Sequence, residues 1–399
     1  MSAIKHQIVI VGGGTAGIAT AAHLKKNNAC LDVAIIEPSD VHYYQPGFTF
    51  VGAGIYKPEK TKRPMASVIP EGVTWLKDSV LSFDPENNTI TTEKSGEIAY
   101  KGLVVAAGIK IDWDAVDGLA EAIKTEGVCS NYTYETADKT WKTIKRFKGG
   151  TAIFTQPKPP FKCPGAAQKI MYLADEAFRK QGVRNKTDIK FFAAAPSIFP
   201  IKHYADPLNA VIARKELNTN FKHHLVAIDG KKKEATFEHT ETGKRTTSKY
   251  DMIHVTPPQC APDFLKGSPL ANAGGWVDVD KFTLQSTKFS NVFALGDCCS
   301  APCSKTAAAI KAQGPVVVSN LLTVLAGGEA GTAYDGYASC PLVTGYGKLV
   351  LAEFDYNMQP KETFPFDQGQ ERKSMYYLKK YVLPKFYWDV MLKGGNLGE

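Results

Sequence analysis

Ile8-Val9-Ile10-Val11-Gly12-Gly13-Gly14-Thr15-Ala16-Gly17 places an apolar, β-branched run directly before a G-x-G-x-x-G turn. The run reads as a buried parallel strand, and Ile18-Ala19-Thr20-Ala21-Ala22-His23-Leu24-Lys25 as the helix that follows it. That order opens a dinucleotide-binding Rossmann unit. Gly12 permits the tight turn, Gly14 lets a pyrophosphate approach the backbone, and Gly17 lets helix and strand pack closely. Unpaired N–H groups and the helix dipole favour phosphate there. A second strand, Leu31–Ile36, ends in Glu37, 20 residues beyond Gly17, where a carboxylate accepts hydrogen bonds from a ribose.

Further out, Leu103-Val104-Val105-Ala106-Ala107-Gly108 reads as a strand ending in small residues, and Asn291-Val292-Phe293-Ala294-Leu295-Gly296-Asp297 as another, ending in Gly-Asp. Both resemble the later flavin signatures of the two-dinucleotide-domain flavoprotein disulfide reductases, whose aspartate meets the ribityl chain. The resemblance implies FAD, held by Gly12, Gly14, Gly17, Glu37, Gly108, Gly296 and Asp297.

In such proteins a second Rossmann unit binds NAD(P)H. Here it should begin at Thr151-Ala152-Ile153-Phe154-Thr155, yet Gln156-Pro157-Lys158-Pro159-Pro160-Phe161-Lys162-Cys163-Pro164-Gly165 follows. The early glycines are missing, and proline supplies no backbone N–H for a pyrophosphate. The next strand, Asp188–Ala195, ends without an acid for an adenosine ribose. The second unit therefore reads as a Rossmann fold without a functional NAD site. Cys163 stands where the phosphate turn would be, ahead of a helix whose Ile170, Leu173, Ala174, Ala177 and Phe178 share one face. A helix N-terminus and the neighbouring Lys162 favour its thiolate; a small turn residue is the plainer alternative.

With 399 residues, 44% apolar and 22% charged, the chain reads as a soluble globular protein of two or three domains, which excludes a disordered or fibrous class. Its net charge of +8 is mild and calls for no nucleic acid. After Met1-Ser2-Ala3 no export or organelle presequence is read, and the apolar stretch Val316–Ala326 is too short to span a bilayer, so an intracellular protein with at most a peripheral membrane contact is expected. Eight scattered cysteines are no disulfide framework.

At this point the match becomes specific. Phe161-Lys162-Cys163-Pro164-Gly165-Ala166-Ala167-Gln168-Lys169-Ile170-Met171-Tyr172-Leu173 resembles the first active-cysteine region of type II sulfide:quinone oxidoreductases. Ser339-Cys340-Pro341-Leu342-Val343-Thr344-Gly345-Tyr346 resembles their second, and Ser304-Lys305-Thr306-Ala307-Ala308-Ala309 and Phe364-Pro365-Phe366-Asp367 also match. The resemblance runs from the first strand to the C-terminus. It implies a redox pair, Cys163 and Cys340, on the side of the flavin opposite the quinone. Hydrosulfide opens their bridge, a persulfide forms on one cysteine, and the freed thiolate delivers electrons to FAD. A membrane quinone takes two electrons, and sulfite, glutathione or a second sulfide takes the sulfur. The cysteines are 177 residues apart, so the sequence does not show them meeting.

Other residues carry paired readings. His203 serves either as a proton carrier near the sulfur or as a packed or surface histidine. Lys305 stands either as the cation for a reduced flavin or as a solvated lysine at the start of the helix after Asp297. Cys129 lies where other members of the family have a third cysteine, but its Ser130-Asn131-Tyr132 context fits the two-cysteine group. Cys298, Cys299 and Cys303 have poor zinc spacing, and no metal is expected. His42-Tyr43-Tyr44-Gln45-Pro46 contains no cysteine, unlike the covalently flavinylated flavocytochrome c sulfide dehydrogenases. From Arg372 to Lys393 lysines alternate with aromatics around Pro384, which fits either a monotopic anchor in the headgroup region or helices packed on the protein.

The expected architecture is α/β: an FAD-binding unit at 1–115 and 285–335, a second Rossmann-like unit at 116–284, and a C-terminal amphipathic membrane and quinone region at 336–399. The expected function is a peripheral, monotopic sulfide:quinone oxidoreductase of an inner or cytoplasmic membrane, its oligomeric state open, a homo-oligomer included. The competing readings are a flavoenzyme like type II NADH:quinone dehydrogenase and a redox-inactive flavin-binding scaffold.

Overall fold

The computed structural model describes residues 4–395, so Met1-Ser2-Ala3 and the last four residues, the outer edges of two predicted regions, lie outside the described residues. Ile4–Val11 lies inside a seven-stranded sheet, parallel to Val33–Ile36 on one side and to Gly96–Val105 on the other. Its Ile8, Val9, Ile10 and Val11 are buried, as a strand covered on both faces requires.

Gly96–Val105 changes partners along its length. Its first half pairs antiparallel with Thr89–Thr92, which in turn pairs with Val80–Asp84; its second half lies parallel to Val292–Ala294. The chain thus leaves this sheet after Val105 and rejoins it at Val292.

Between those points lies a second, five-stranded parallel sheet in the order Val128–Cys129, Met252–His254, Gly150–Gln156, Thr187–Ala193, Asn218–Phe221. Helix Ala166–Lys180 follows the central strand and buries Ile170, Leu173, Ala174, Ala177 and Phe178, the face expected from its periodicity. A three-stranded antiparallel sheet, His223–Asp229, Glu234–His239 and Arg245–Lys249, adjoins this unit, with Phe237 stacked on Phe192.

Two expectations change. Helix Ala307–Leu325 begins upstream of the apolar stretch singled out in the sequence, and at 19 residues it is long and apolar enough to cross a membrane by length and composition. Its Ala309, Ile310, Gln313, Val317 and Leu321 are nevertheless buried, and it packs beside helix Thr15–Asn27 as a core element. Pro384 stands in the first turn of helix Leu383–Asp389, just after the helical segment Leu378–Val382 ends, where its missing N–H is harmless. The C-terminal stretch is less exposed than an amphipathic anchor: Tyr387, Trp388, Met391 and Leu392 join the core of the first sheet, and Met375 and Tyr376 join the second core.

The geometry of the glycine turn agrees with the tight turn at Gly12 and the close packing at Gly17, and leaves the Gly14 backbone open. Gly12 has φ +105°, and a Cβ on Gly17 would stand 1.9 Å from the Gly12 carbonyl oxygen, whereas one on Gly14 would meet nothing within 4 Å. Gly17→Ala should therefore lower stability by about 1–3 kcal/mol through overpacking, while Gly14→Ala keeps the unfolding midpoint and weakens dinucleotide retention. Denaturant titration of both variants checks this; equal midpoints would show that the helix does not press on the turn.

Candidate active site

The turn after Gly150–Gln156 carries Cys163 at φ +90°, a left-handed backbone that a side chain adopts only under constraint. Its carbonyl accepts from the Ala166 N–H at the start of the helix. Cys340 lies in strand Ala338–Gly345, which pairs antiparallel with Lys348–Phe354 and packs on helix Ala166–Lys180. The two sulfurs are 2.9 Å apart. Gly165 makes this approach possible, since a Cβ there would stand 1.9 Å from Leu342 Cδ2 and 2.9 Å from Cys340 Sγ.

Two lysines set the charge around the pair. Lys169 Nζ donates to Cys163 Sγ at 3.5 Å. The Cys340 thiol, as hydrogen-bond donor, and Lys169 together outweigh burial and hold the Cys163 thiol well below its ordinary range. Burial and the adjacent Cys163 push Cys340 up. Of the two, Cys163, beside Lys169, is the sulfur whose thiolate is favoured. Lys379 is buried beneath the site with Nζ 3.5 Å from the Pro46 carbonyl; burial, then repulsion from Lys169, lowers it to about 7.

The sequence placed Lys162 at the thiolate and did not single out Lys379. Lys162 instead reaches Gln45 Oε1 at 2.6 Å. Lys169, missed as a charge partner, carried a visible signal: a lysine four residues before Leu173 on an apolar helix face.

The residues expected to hold a flavin converge on the first sheet. Glu37, past the end of Val33–Ile36, accepts from the Gly13 and Ser39 N–H groups, both at 2.8 Å. Gly108, at φ +71°, faces open space, as Gly14 does. The Gly296 N–H is fixed by Gln313 Oε1 at 2.8 Å. Burial raises the next carboxyl, Asp297, against the pull of Lys305 and Lys162, and it makes no hydrogen bond among the described residues. Open glycine backbone, a carboxylate just past the second strand and a half-buried carboxylate without a donor among the described residues fit a flavin cofactor. Lys305 lies two residues ahead of helix Ala307–Leu325 and donates to the Asp297 and Cys299 carbonyls at 2.5 and 3.2 Å, tying down the Gly-Asp turn.

The remaining candidates separate from the thiols. His203, on helix Lys202–Lys215, pairs with Glu362 at 2.8 Å and Asp367 at 3.5 Å at a partly exposed position. Cys129 is buried against the Ile253 carbonyl, and burial pushes its thiol up to about 12. Cys298 and Cys299 face backbone carbonyls, with burial raising both thiols. Sequence reasoning also missed Tyr132, Thr256 and Gln259, which carry buried polar atoms without partners among the described residues. A cavity of about 620 Å³ opens beside the turn, lined in part by Gln156, Phe161, Pro164, Trp276, Cys303 and Lys305.

The sequence pattern of the pyridine nucleotide-disulphide oxidoreductase family matches residues 6–147. The mitochondrial sulfide:quinone oxidoreductase of Mus musculus is 46% identical over 98% of this chain and 87% of the relative, and that of Dictyostelium discoideum 47% identical over the same shares. The chain belongs to the sulfide:quinone oxidoreductase family. Membership makes it an oxidoreductase with a flavin cofactor. The crystal structure of the sulfide:quinone oxidoreductase from Aquifex aeolicus shares the fold, with a TM-score of 0.83 at 21% identity over 98% of this chain and 92% of that one.

In the reduced protein, Cys163 should alkylate with iodoacetamide at pH values where an ordinary thiol is protonated. Lys169→Met should move the midpoint of that pH profile upward. Mass spectrometry of the modified peptide reads both, and an unmoved midpoint would remove Lys169 from the site.

Proposed function

We propose that Cys163 and Cys340 are the pair through which this sulfide:quinone oxidoreductase takes electrons from sulfide, and that its flavin is FAD, bound by the unit at 1–115 and 285–335. The observation that carries this reading is the 2.9 Å approach of the two sulfurs beside Lys169.

The asymmetry of the pair gives the reaction a direction. In the bridged form, the sulfur whose thiolate is better stabilised is the better leaving group, and that sulfur is Cys163. Hydrosulfide attacks Cys340 Sγ; a sulfur–sulfur bond forms there, the bridge breaks, and the electron pair leaves on Cys163, where Lys169 offsets its charge. Cys340 then carries the persulfide. A nucleophilic acceptor (sulfite, glutathione or a second sulfide) removes the outer sulfur, and loss of two electrons from the thiolate pair re-forms the bridge. FAD, held by Gly12, Gly14, Gly17, Glu37, Gly108, Gly296 and Asp297, supplies the two-electron relay to quinone. Lys305 steadies the turn bearing Asp297.

The prolines at 157, 159, 160 and 164 leave that turn few N–H groups, which argues against NADH as donor. Tyr377, Tyr381 and Val382 are 52%, 60% and 49% exposed, and Lys380 and Lys385 are their neighbours in sequence. Aromatics and lysines so placed suit a monotopic contact with an inner or cytoplasmic membrane, from which a lipid-soluble quinone enters.

Anaerobic sulfide should bleach the flavin absorbance and a soluble quinone should restore it, while NADH leaves it unchanged. Cys163→Ser and Cys340→Ser should each abolish sulfide-dependent turnover with flavin still bound; turnover in either single variant would sink the pair. Replacing Tyr377, Tyr381 and Val382 together by serine should reduce co-sedimentation with anionic vesicles several-fold, with sulfide bleaching intact.

A further inference from the structure

The C-terminal helix reaches back across the whole chain to the glycine turn where the fold begins. Tyr387 on helix Leu383–Asp389 is 2% exposed, and its hydroxyl lies 2.6 Å from His42 Nε2 and 2.7 Å from Thr15 Oγ1. On its other side the His42 ring places Nδ1 3.0 Å from the Gly13 carbonyl oxygen.

The proton positions follow from one fact: a carbonyl oxygen only accepts. His42 must therefore carry its proton on Nδ1 and donate to Gly13, and burial, which lowers this histidine to about 4, keeps the ring neutral. Nε2 is left as an acceptor and takes the Tyr387 proton. The Tyr387 oxygen then accepts from Thr15. The chain Thr15 → Tyr387 → His42 → Gly13 starts and ends on the turn between Gly12 and Gly17. Gly13 is held from both sides, because its N–H donates to Glu37 at 2.8 Å. The first N–H groups of helix Thr15–Asn27, which have no intrahelical acceptor, remain for phosphate.

Packing fixes the segment that supplies Tyr387. Trp388 lies under the Arg63 guanidinium at 4.4 Å, Met391 and Leu392 are buried in the first core, and Gly394 comes so near Ala22 and His23 that a Cβ there would stand 2.8 Å from their backbone.

We propose that Tyr387 and His42 are positioning residues for the flavin: the C-terminal helix clasps the dinucleotide turn and holds its phosphate-binding backbone in the shape that retains FAD. This rests on the reading that the turn binds FAD.

The test is FAD dissociation from the purified holoenzyme, followed by the fluorescence of released flavin well below the unfolding temperature, with the unfolding midpoint measured in parallel. Tyr387→Phe and Thr15→Val should each weaken FAD retention about tenfold, the size expected for one hydrogen bond of about 1.4 kcal/mol. Thr15→Ser, which keeps the hydroxyl, should retain FAD as the unaltered chain does. The double variant Tyr387→Phe/Thr15→Val should lose little beyond either single one, since both cut the same chain. Unaltered retention in both Tyr387→Phe and Thr15→Val would overturn the clasp. So would losses that only track the unfolding midpoint. An unaltered chain that bound no FAD would instead overturn the reading of the turn.

Discussion

Two sulfurs 177 residues apart in sequence lie 2.9 Å apart, and much of the molecule is arranged around that contact. One comes from a constrained turn at the head of helix Ala166–Lys180, the other from a hairpin strand laid across the same helix. The two meet only because residue 165 has no side chain; any Cβ there would strike Leu342 and the second sulfur. The half-buried Cys163 thiolate draws on a compensating charge from a lysine one turn into the helix. A second buried lysine, Lys379, is lowered to about 7 by burial and by repulsion from Lys169. A buried charge of this kind is tolerable only in company, and removing one member leaves the others uncompensated.

The frame that brings these pieces together is the strand Gly96–Val105. By serving the antiparallel pair with one half and Val292–Ala294 with the other, it lets the second parallel unit be inserted without breaking the first sheet. The turns at the carboxyl ends of both sheets then share a cavity wall, with Lys162 and Lys305 bridged through their backbones. The open ends of parallel sheets are where such folds place their ligands. The C-terminal helices close the assembly from the other side, one face in the core and the Tyr377–Tyr381 pair outward.

The sequence was most legible where a function depends on neighbours along the chain. Each glycine of the first turn had a distinct task, and the geometry agrees with those of Gly12 and Gly17 and leaves Gly14 open. The loss of phosphate donors after Gly150–Gln156 could be read from the prolines alone. The buried face of the following helix was legible too, since apolar spacing is a local signal. The meeting of Cys163 with Cys340, the partner of the thiolate and the fate of Lys379 all depend on contacts between distant segments. Lys162, the neighbour in sequence, points to Gln45, while Lys169 reaches the sulfur because a helix brings its later residues back toward its start. The C-terminal stretch shows the same limit: its mixture of lysine and aromatics described a surface, yet half of its rings fill the core.

The backbone that would cradle a nicotinamide dinucleotide and the backbone that carries Cys163 are one stretch of chain. Glycines restored there would relax the constrained geometry that presents the thiolate; prolines retained there deny a pyrophosphate its donors. The prolines that shape the Cys163 turn are thus the same residues that withhold backbone donors from a pyrophosphate.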